Sequence, residues 1–406
     1  MANSTLTIDV IAKEALMHLE NNLVMAKLVH RAHESEFKGS INGYEKGETI
    51  TIRRPADFTV RDGAVSVNQD VVEGSTSLTV DKQKGIDFGF TSKELTLNIS
   101  DLSDRVIKPA MIQLANQVDK DIMALYTSVP NWVGTAGQTI NSFADFAKGP
   151  ERLDEYAVPQ EGRAAILSPA DHWALLGSQT ALYIQDAAKG AYRNGSLGMI
   201  GGVDTYMSQN VPAHIVGSDV TTVTVNQSVT TSTLAYADVK TTMQQTITIA
   251  GGTLNPGDVF TIADVNAVNP VTKADLGFAK QFTVVSYSSN TLVFYPAMIW
   301  TGAFQNVKVT TGVTDLNTKA ITAIGTAGTS YRQNMVFHKN AFALAMVPLI
   351  APPGAPEVSR QSYKGTSVRL IPTYDGTNDK SNYRLDILYG VKAIDPRLAT
   401  RLSGTS

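Results

Sequence analysis

The chain has 406 residues, a formal net charge of −3 and no cysteine. That length is enough for two or three domains with a real core. The missing cysteines exclude disulfides, thiolate metal sites and a cysteine nucleophile, and the near-neutral charge excludes a surface that wraps nucleic acid by charge alone. The first residues, Met1-Ala-Asn-Ser-Thr-Leu, have neither a basic n-region nor an apolar h-region. The longest apolar run, 341–347, stops at Pro348, well short of a membrane span, so a soluble, non-secreted protein is expected.

Ile8, Ile11, Ala12, Ala15, Leu16, Leu19 and Leu23 fall on one helix face, with Thr7 placed to cap it. Such a helix either packs on its own domain or forms an arm on a neighbouring subunit, and periodicity does not separate the two. His30 and His33 stand three apart, but no carboxylate cluster follows, so they read as surface histidines. Residues 36–97 change to period two in Glu48-Thr-Ile-Thr-Ile-Arg-Arg-Pro, Ser77-Leu-Thr-Val and Gly85-Ile-Asp-Phe-Gly-Phe, around a polar tip at 62–74. The expectation is two long strands joined by a long loop, a ribbon that is marginal in water unless something packs on it. Arg53, Arg54 and Arg61 with Asp62, Asp70 and Glu73 are candidates for pairing with another chain. The plainer reading of each is a solvated charge, because exposed ion pairs contribute little singly.

Residues 95–129 organise the chain. Leu102, Val106, Ala110, Leu114, Val118 and Ile122 recur every four residues beside Ile107, Met111 and Ala115, one apolar stripe on a long helix. Ser100 or Ser103 can cap it, and Asp101 and Asp104 suit its positive end. Pro109 interrupts the pattern. Either the helix starts near Lys108 with Pro109 in its first turn, or it bends there; the stripe running from Leu102 favours the bend.

Beyond it, Ala164-Ala-Ile-Leu reads as a buried strand, and Ser168-Pro-Ala-Asp-His-Trp opens a helix with Pro169 at its first position and His172 in its first turn. The glycine-rich stretch at 192–202 lacks the Lys-Ser/Thr of a P-loop and the strand of a dinucleotide fingerprint. From about 218 to 331 Thr and Val dominate and the helical period disappears. Thr222-Val-Thr-Val, Gln245-Thr-Ile-Thr-Ile, Val259-Phe-Thr-Ile, Gln281-Phe-Thr-Val-Val and Thr291-Leu-Val-Phe-Tyr are short strands between turns such as Asn255-Pro-Gly-Asp, which predicts a small barrel or sandwich inserted into the surrounding α/β material. Mixed signals resume with Asn334-Met-Val-Phe-His. A hairpin of 368–374 and 383–389 follows, with Tyr383, Leu385, Ile387 and Tyr389 on one face and Arg384 and Asp386 on the other. Its turn, Asp375-Gly-Thr-Asn-Asp, lacks the pattern of a calcium loop.

No GxSxG elbow, Walker loop, HExxH or Cys/His cluster occurs, and the histidines (His18, His30, His33, His172, His214, His338) are dispersed. An interaction or structural protein is favoured over an enzyme, and no cofactor or metal is expected.

Four stretches stand in a telling order: Asp81-Lys-Gln-Lys-Gly-Ile-Asp-Phe-Gly-Phe-Thr-Ser-Lys-Glu-Leu, Ile107-Lys-Pro-Ala110 with Leu114-Ala-Asn-Gln-Val-Asp119, Phe337-His-Lys-Asn-Ala-Phe-Ala-Leu-Ala and Leu388-Tyr-Gly-Val-Lys-Ala-Ile-Asp-Pro-Arg397. With the order of parts they resemble tailed-phage major capsid proteins of the HK97 fold. The β insertion is most similar to that of the coat proteins of short-tailed enterobacterial phages. The resemblance implies an α+β fold with an N-terminal arm at 1–35 and an extended β-ribbon loop at 36–97 lying over a neighbour. A spine helix would span 98–135, an axial domain 136–217, an inserted all-β domain 218–331, and a return to the axial and peripheral domains 332–406. It further implies hexamers and pentamers closing into an icosahedral shell around double-stranded DNA, made in the host cytoplasm with a portal protein. With no charged helical extension ahead of residue 1, a separate scaffolding protein is expected. No lysine, asparagine and glutamate trio for self-crosslinking is identified. Pro109 would then be a bend where shell curvature is accommodated. The alternatives are a cellular encapsulin-like compartment shell and, far behind, an enzyme assembled around His172 or His214.

Overall fold

The computed structural model describes residues 4–38, 40–41, 44–45, 48–61, 63–66, 68–92, 106–180, 197–220, 222–230, 234–352, 358–363 and 365–405. Helices α1–α6 and strands β1–β24 are numbered in chain order. The chain divides into two compact units, one of residues 1–50, 77–122 and 342–392, the other of 51–76, 123–341 and 393–406. The expected α+β class is the one observed. Among the described residues no helix is long and apolar enough to cross a membrane.

The first unit is built on a five-stranded sheet. Its path is β20 (Phe342–Met346), β23 (Lys380–Ala393), β22 (Thr366–Asp375) and β21 (Ser359–Tyr363), with β5 (Lys82–Thr91) on the free side of β23. Helix α1 (Ser4–Asn22) packs on β21 and β22, burying Ala12, Ala15, Leu16 and Leu19. Ser359 Oγ donates to Asp9 Oδ1 at 2.5 Å. Of the two readings of this helix, the structure shows packing on its own domain. Thr7 lies inside the helix, which begins at Ser4, so it is no cap.

Strand β5 corrects the expected ribbon. It pairs along its whole length with β23, Lys82 opposite Tyr389 through Thr91 opposite Lys380. Its alternation is that of a sheet strand, and β23 offers it ten partners where a ribbon would leave its edge open. The ribbon itself is short: β3 (Thr49–Arg53) pairs with β4 (Ser75–Thr79), burying Ile50, Ile52 and Leu78, while β1 (Ser40–Ile41) pairs with β2 (Tyr44–Glu45). The hairpin 366–393 forms as expected, with Leu385, Ile387 and Tyr389 buried. Asp386, however, is buried too, between Arg369 Nη2 (2.6 Å) and Arg384 Nε (2.9 Å). On that second face Arg384 stays exposed while Asp386 is buried, and two guanidinium groups compensate the carboxylate there.

Helix α3 (Lys108–Met123) carries the predicted stripe: Ala110, Met111, Leu114, Ala115, Val118 and Ile122 are buried, as is Ile107 before it. Full burial of one such leucine or isoleucine contributes about 1.5–3 kcal/mol. Val106 and Ile107 form a wider π-type turn leading into it. Pro109 is its second residue and exposed. Pro109 thus stands at the junction between that turn and the regular α-helix, while the residues before 106, over which the bend was expected, lie outside the described residues. Residues 93–105, including Leu102 and the expected caps Ser100, Ser103, Asp101 and Asp104, lie outside the described residues.

The second unit contains a six-stranded sheet in the order β6 (Asn131–Val133), β24 (Ala399–Leu402), β19 (Asn334–His338), β7 (Arg163–Leu167), β9 (Val203–Met207) and β8 (Met199–Ile200). Helices α4 (Phe143–Glu155) and α5 (Pro169–Thr180) accompany it. The predicted junction at Ser168 holds: its Oγ accepts the Asp171 amide at 3.3 Å and donates to Asp171 Oδ2 at 2.5 Å. Residues 192–196 of the glycine-rich stretch lie outside the described residues.

The insertion is a barrel. Strands β11 (Thr224–Val225), β12 (Gln245–Ala250), β15 (Thr291–Tyr295), β14 (Asp275–Ser288), β13 (Val259–Val268) and β16 (Val307–Val309) follow one another, and β17 (Ile321–Ala323) also pairs with β13. The Thr224–Ala320 bridge and the Ile321 amide on the Val223 carbonyl (2.9 Å) bring β17 back to β11 and close the sheet. Closure removes the exposed edges that seven short strands would otherwise present. Inward positions Val225, Ile247, Ile249, Ile262, Val284, Leu292 and Ile321 surround the tilted aromatic trio Phe260, Phe282 and Phe294. The chain enters and leaves through β10 (Ala213–Ile215) and β18 (Ser330–Arg332), paired side by side, as an insertion requires.

Candidate inter-subunit surface

Between β3 and β4 the described residues of the 54–74 loop form no helix or strand. The loop exposes Phe58 (59 %), Val60 (97 %), Val65 and Val71. Large apolar side chains this exposed cost free energy until another surface covers them. The loop still has local order: Gln69 Oε1 accepts the Thr59 amide (2.9 Å) and hydroxyl (3.0 Å), and Gln69 Nε2 donates to the Thr59 carbonyl (2.6 Å).

The six charged candidates do not act as one group. Arg53 pairs with Glu73 of its own chain at 3.5 Å, both exposed, a pair worth little. Arg61 donates to the carbonyls of Gly63 and of Val65 (3.1 Å), stiffening the loop. Asp70 is exposed, and Asp62 lies outside the described residues. Arg54 turns inward: its amide donates to the Gly74 carbonyl (2.8 Å) and its Nη2 to the Ile394 carbonyl (3.1 Å). The four apolar side chains were missed as site residues; the only signal was their lack of any period within a polar stretch.

Elsewhere in this unit, a buried polar cluster joins the barrel to the sheet. Tyr126 Oη lies 3.1 Å from His214 Nδ1, and His214 Nε2 lies 2.8 Å from Asp258 Oδ1. Asp258 also accepts the amides of Gly217 (3.1 Å) and Asn255 (2.7 Å). Arg401 reaches the Gly257 carbonyl (2.7 Å) and Thr283 Oγ1 (3.3 Å), and burial lowers its pKa to about 9. His214, Asp258 and Arg401 are all buried, so this set serves packing and offers no surface to a substrate. His172 is also buried, in the first turn of α5. Among the described residues no group of three or more side chains is arranged to hold a metal.

A model of the P22 coat protein family (gene protein 5) matches residues 1–404. The major capsid protein of Acyrthosiphon pisum secondary endosymbiont phage 1 is 21 % identical over 420 residues, covering 98 % of this chain and 97 % of that one. Among solved structures, that of Mycobacterium phage Che8 is similar at 14 % identity and a TM-score of 0.49, covering 93 % of this chain and 90 % of that one. The capsid of Ralstonia phage GP4 is similar at 10 % identity and a TM-score of 0.46, covering 93 % and 88 %.

The class is that of bacteriophage major capsid proteins: homo-oligomeric subunits of the shell, located in the virion capsid. Within that class the chain belongs to the P22 coat protein family. An encapsulin-like compartment shell is not favoured.

Proposed function

We propose that loop 54–74 is the surface by which one subunit grips the next, as hexamers and pentamers close into an icosahedral shell around double-stranded DNA. The observation that carries this is the exposure of Phe58, Val60, Val65 and Val71 on a loop whose base is tied down at Arg54 and Gly74. Many modest contacts of this kind suit a shell, because each stays reversible until closure engages all of them together. In this reading 1–35 is an N-terminal segment whose helix packs on its own domain, 36–97 holds the loop, 98–135 the spine, 136–217 the axial domain, 218–331 an inserted domain that also touches other capsomers, and 332–406 the return. Pro109 lies within the spine, and Asp70 and Glu73 with Arg53 and Arg61 form the polar rim of the loop contact.

The chain has no catalytic role here; the enclosure of Tyr126, His214 and Asp258 supports that. A net charge of −3 supports DNA held without sequence-specific contacts, since a strongly basic lumen would bind DNA and impede its packing. A separate scaffolding protein, a portal protein and assembly in the host cytoplasm complete the reading.

The test is the double substitution Phe58→Ser and Val60→Ser. Both side chains are exposed, so the unassembled subunit should melt as the parent does, while sedimentation should show no closed particles. Particles at parental yield would overturn the reading.

A further inference from the structure

The base of the loop meets three segments distant in sequence. A Cβ placed on Gly74 would lie 2.5 Å from the Lys240 carbonyl oxygen and 2.7 Å from Tyr236 Oη, so the loop backbone is seated directly on α6 (Tyr236–Val239) and the residue after it. Tyr236 is itself fixed: its ring stacks on Phe304 with centroids 3.5 Å apart and planes within 6°. Beneath lie Val239, Met243, Tyr295, Ala297 and Ile299, a small core of the inserted domain separate from the barrel interior.

The third segment is the chain's return. Arg54 Nη2 holds the Ile394 carbonyl. Next to it Asp395 accepts two hydrogen bonds from Arg397, at 2.8 and 2.7 Å. The charges of Arg397, Arg54, Asp57 and Asp395 all act on Tyr236, whose hydroxyl pKa is raised, mainly by burial. Arg54 and Asp57 thus belong to the electrostatic surroundings of the inserted domain, while Phe58, one residue on, is in solvent.

We infer that the inserted domain, through Tyr236 and the Lys240 backbone against Gly74 and Arg54, sets the direction in which loop 54–74 leaves the subunit. Tyr236, Gly74 and Arg54 are positioning residues: they hold the base so that Phe58 and Val60 are presented at a fixed angle to the neighbour. The inference rests on the loop being the inter-subunit contact. It gives the insertion a part in shell geometry exerted from inside its own subunit. A tethered loop of 21 residues would otherwise sample many directions and lose ordering entropy on every contact.

Because the chain has no cysteine, two labels can be placed cleanly. Ser66→Cys on the loop and Ser286→Cys on the barrel are both exposed. With nitroxides at these sites, the unassembled full-length subunit should give one narrow distance distribution by double electron–electron resonance. Gly74→Val should lose that narrow peak and form few or misshapen particles. Tyr236→Leu and Arg54→Met, which leave the backbone seat free of a clash, should do the same with unchanged circular dichroism. A narrow peak preserved in Tyr236→Leu and Arg54→Met would overturn the inference, as would normal particles from subunits that had lost it. The Phe58→Ser, Val60→Ser subunit should keep the narrow peak while losing assembly. Normal particles from that variant would instead overturn the loop contact itself.

Discussion

The Asp119 carboxylate accepts the backbone amide of Val24 at 2.8 Å, across 95 positions of sequence. It also accepts the Ala26 amide at 3.1 Å. Val24 is the N-cap of α2 (Met25–Leu28) and has no side-chain oxygen to satisfy that helix start. The spine helix therefore supplies from outside the cap that the local sequence lacks.

Asp119→Asn replaces one of the two acceptor oxygens with a donor facing an amide. We expect a loss of about 1–3 kcal/mol, the cost of an unsatisfied buried amide. A lower urea midpoint at unchanged slope would check it.

Asp258→Ala leaves His214 and the amides of Gly217 and Asn255 without their buried acceptor. Each buried donor left without an acceptor costs about 1–3 kcal/mol. Thermal unfolding should show the loss, and hydrogen exchange should place it in β10 and the 255–258 turn rather than in α1.

Lys280 is buried over the Tyr156 ring, 4.6 Å from its centroid, with its Nζ 3.4 Å from Tyr156 Oη. Burial, with Arg397 and Arg152 nearby, lowers its pKa to about 7. A lysine whose folded pKa lies below its unfolded one binds fewer protons in the folded state between those two values, so stability rises with pH from about 7 towards 10. Lys280→Met should therefore be more stable than the parent at pH 6 by at least about 1 kcal/mol, with the gap narrowing by pH 9. Melting temperatures of both at the two pH values decide it.

Pro109→Ala should change stability by less than about 1 kcal/mol, because Pro109 is exposed at the second position of the regular α-helix, beside the π-type turn. Electron micrographs should show particles of parental shape. A shell of altered curvature would restore the proline to a bend in the spine.

The α1 and α3 stripes, the Ser168–Asp171 helix start, the barrel strands and the 366–393 hairpin were legible because each is written in a local period or a cap. The extent of the ribbon was not. β5 alternates as a ribbon strand would, and only its pairing with β23 assigns it to a sheet. The candidate surface is half legible in sequence: the polar tip marks a loop, but Phe58, Val60, Val65 and Val71 follow no local period that would show them exposed.

The sequence by itself determined the elements, the presence of an inserted β domain and the family, since these follow from periodicity, turn chemistry and the order of parts. Tertiary structure alone decided which strand partners which, and that Asp119, Asp258 and Asp386 are buried and compensated. The reason is physical: a local period reports which face of an element is apolar, whereas a partner's identity depends on segments brought together from tens to hundreds of residues away. Gly74 illustrates the limit. In the sequence it is one glycine in a polar loop; in the fold it is the point where only a residue without a side chain lets the loop rest on Tyr236 and Lys240.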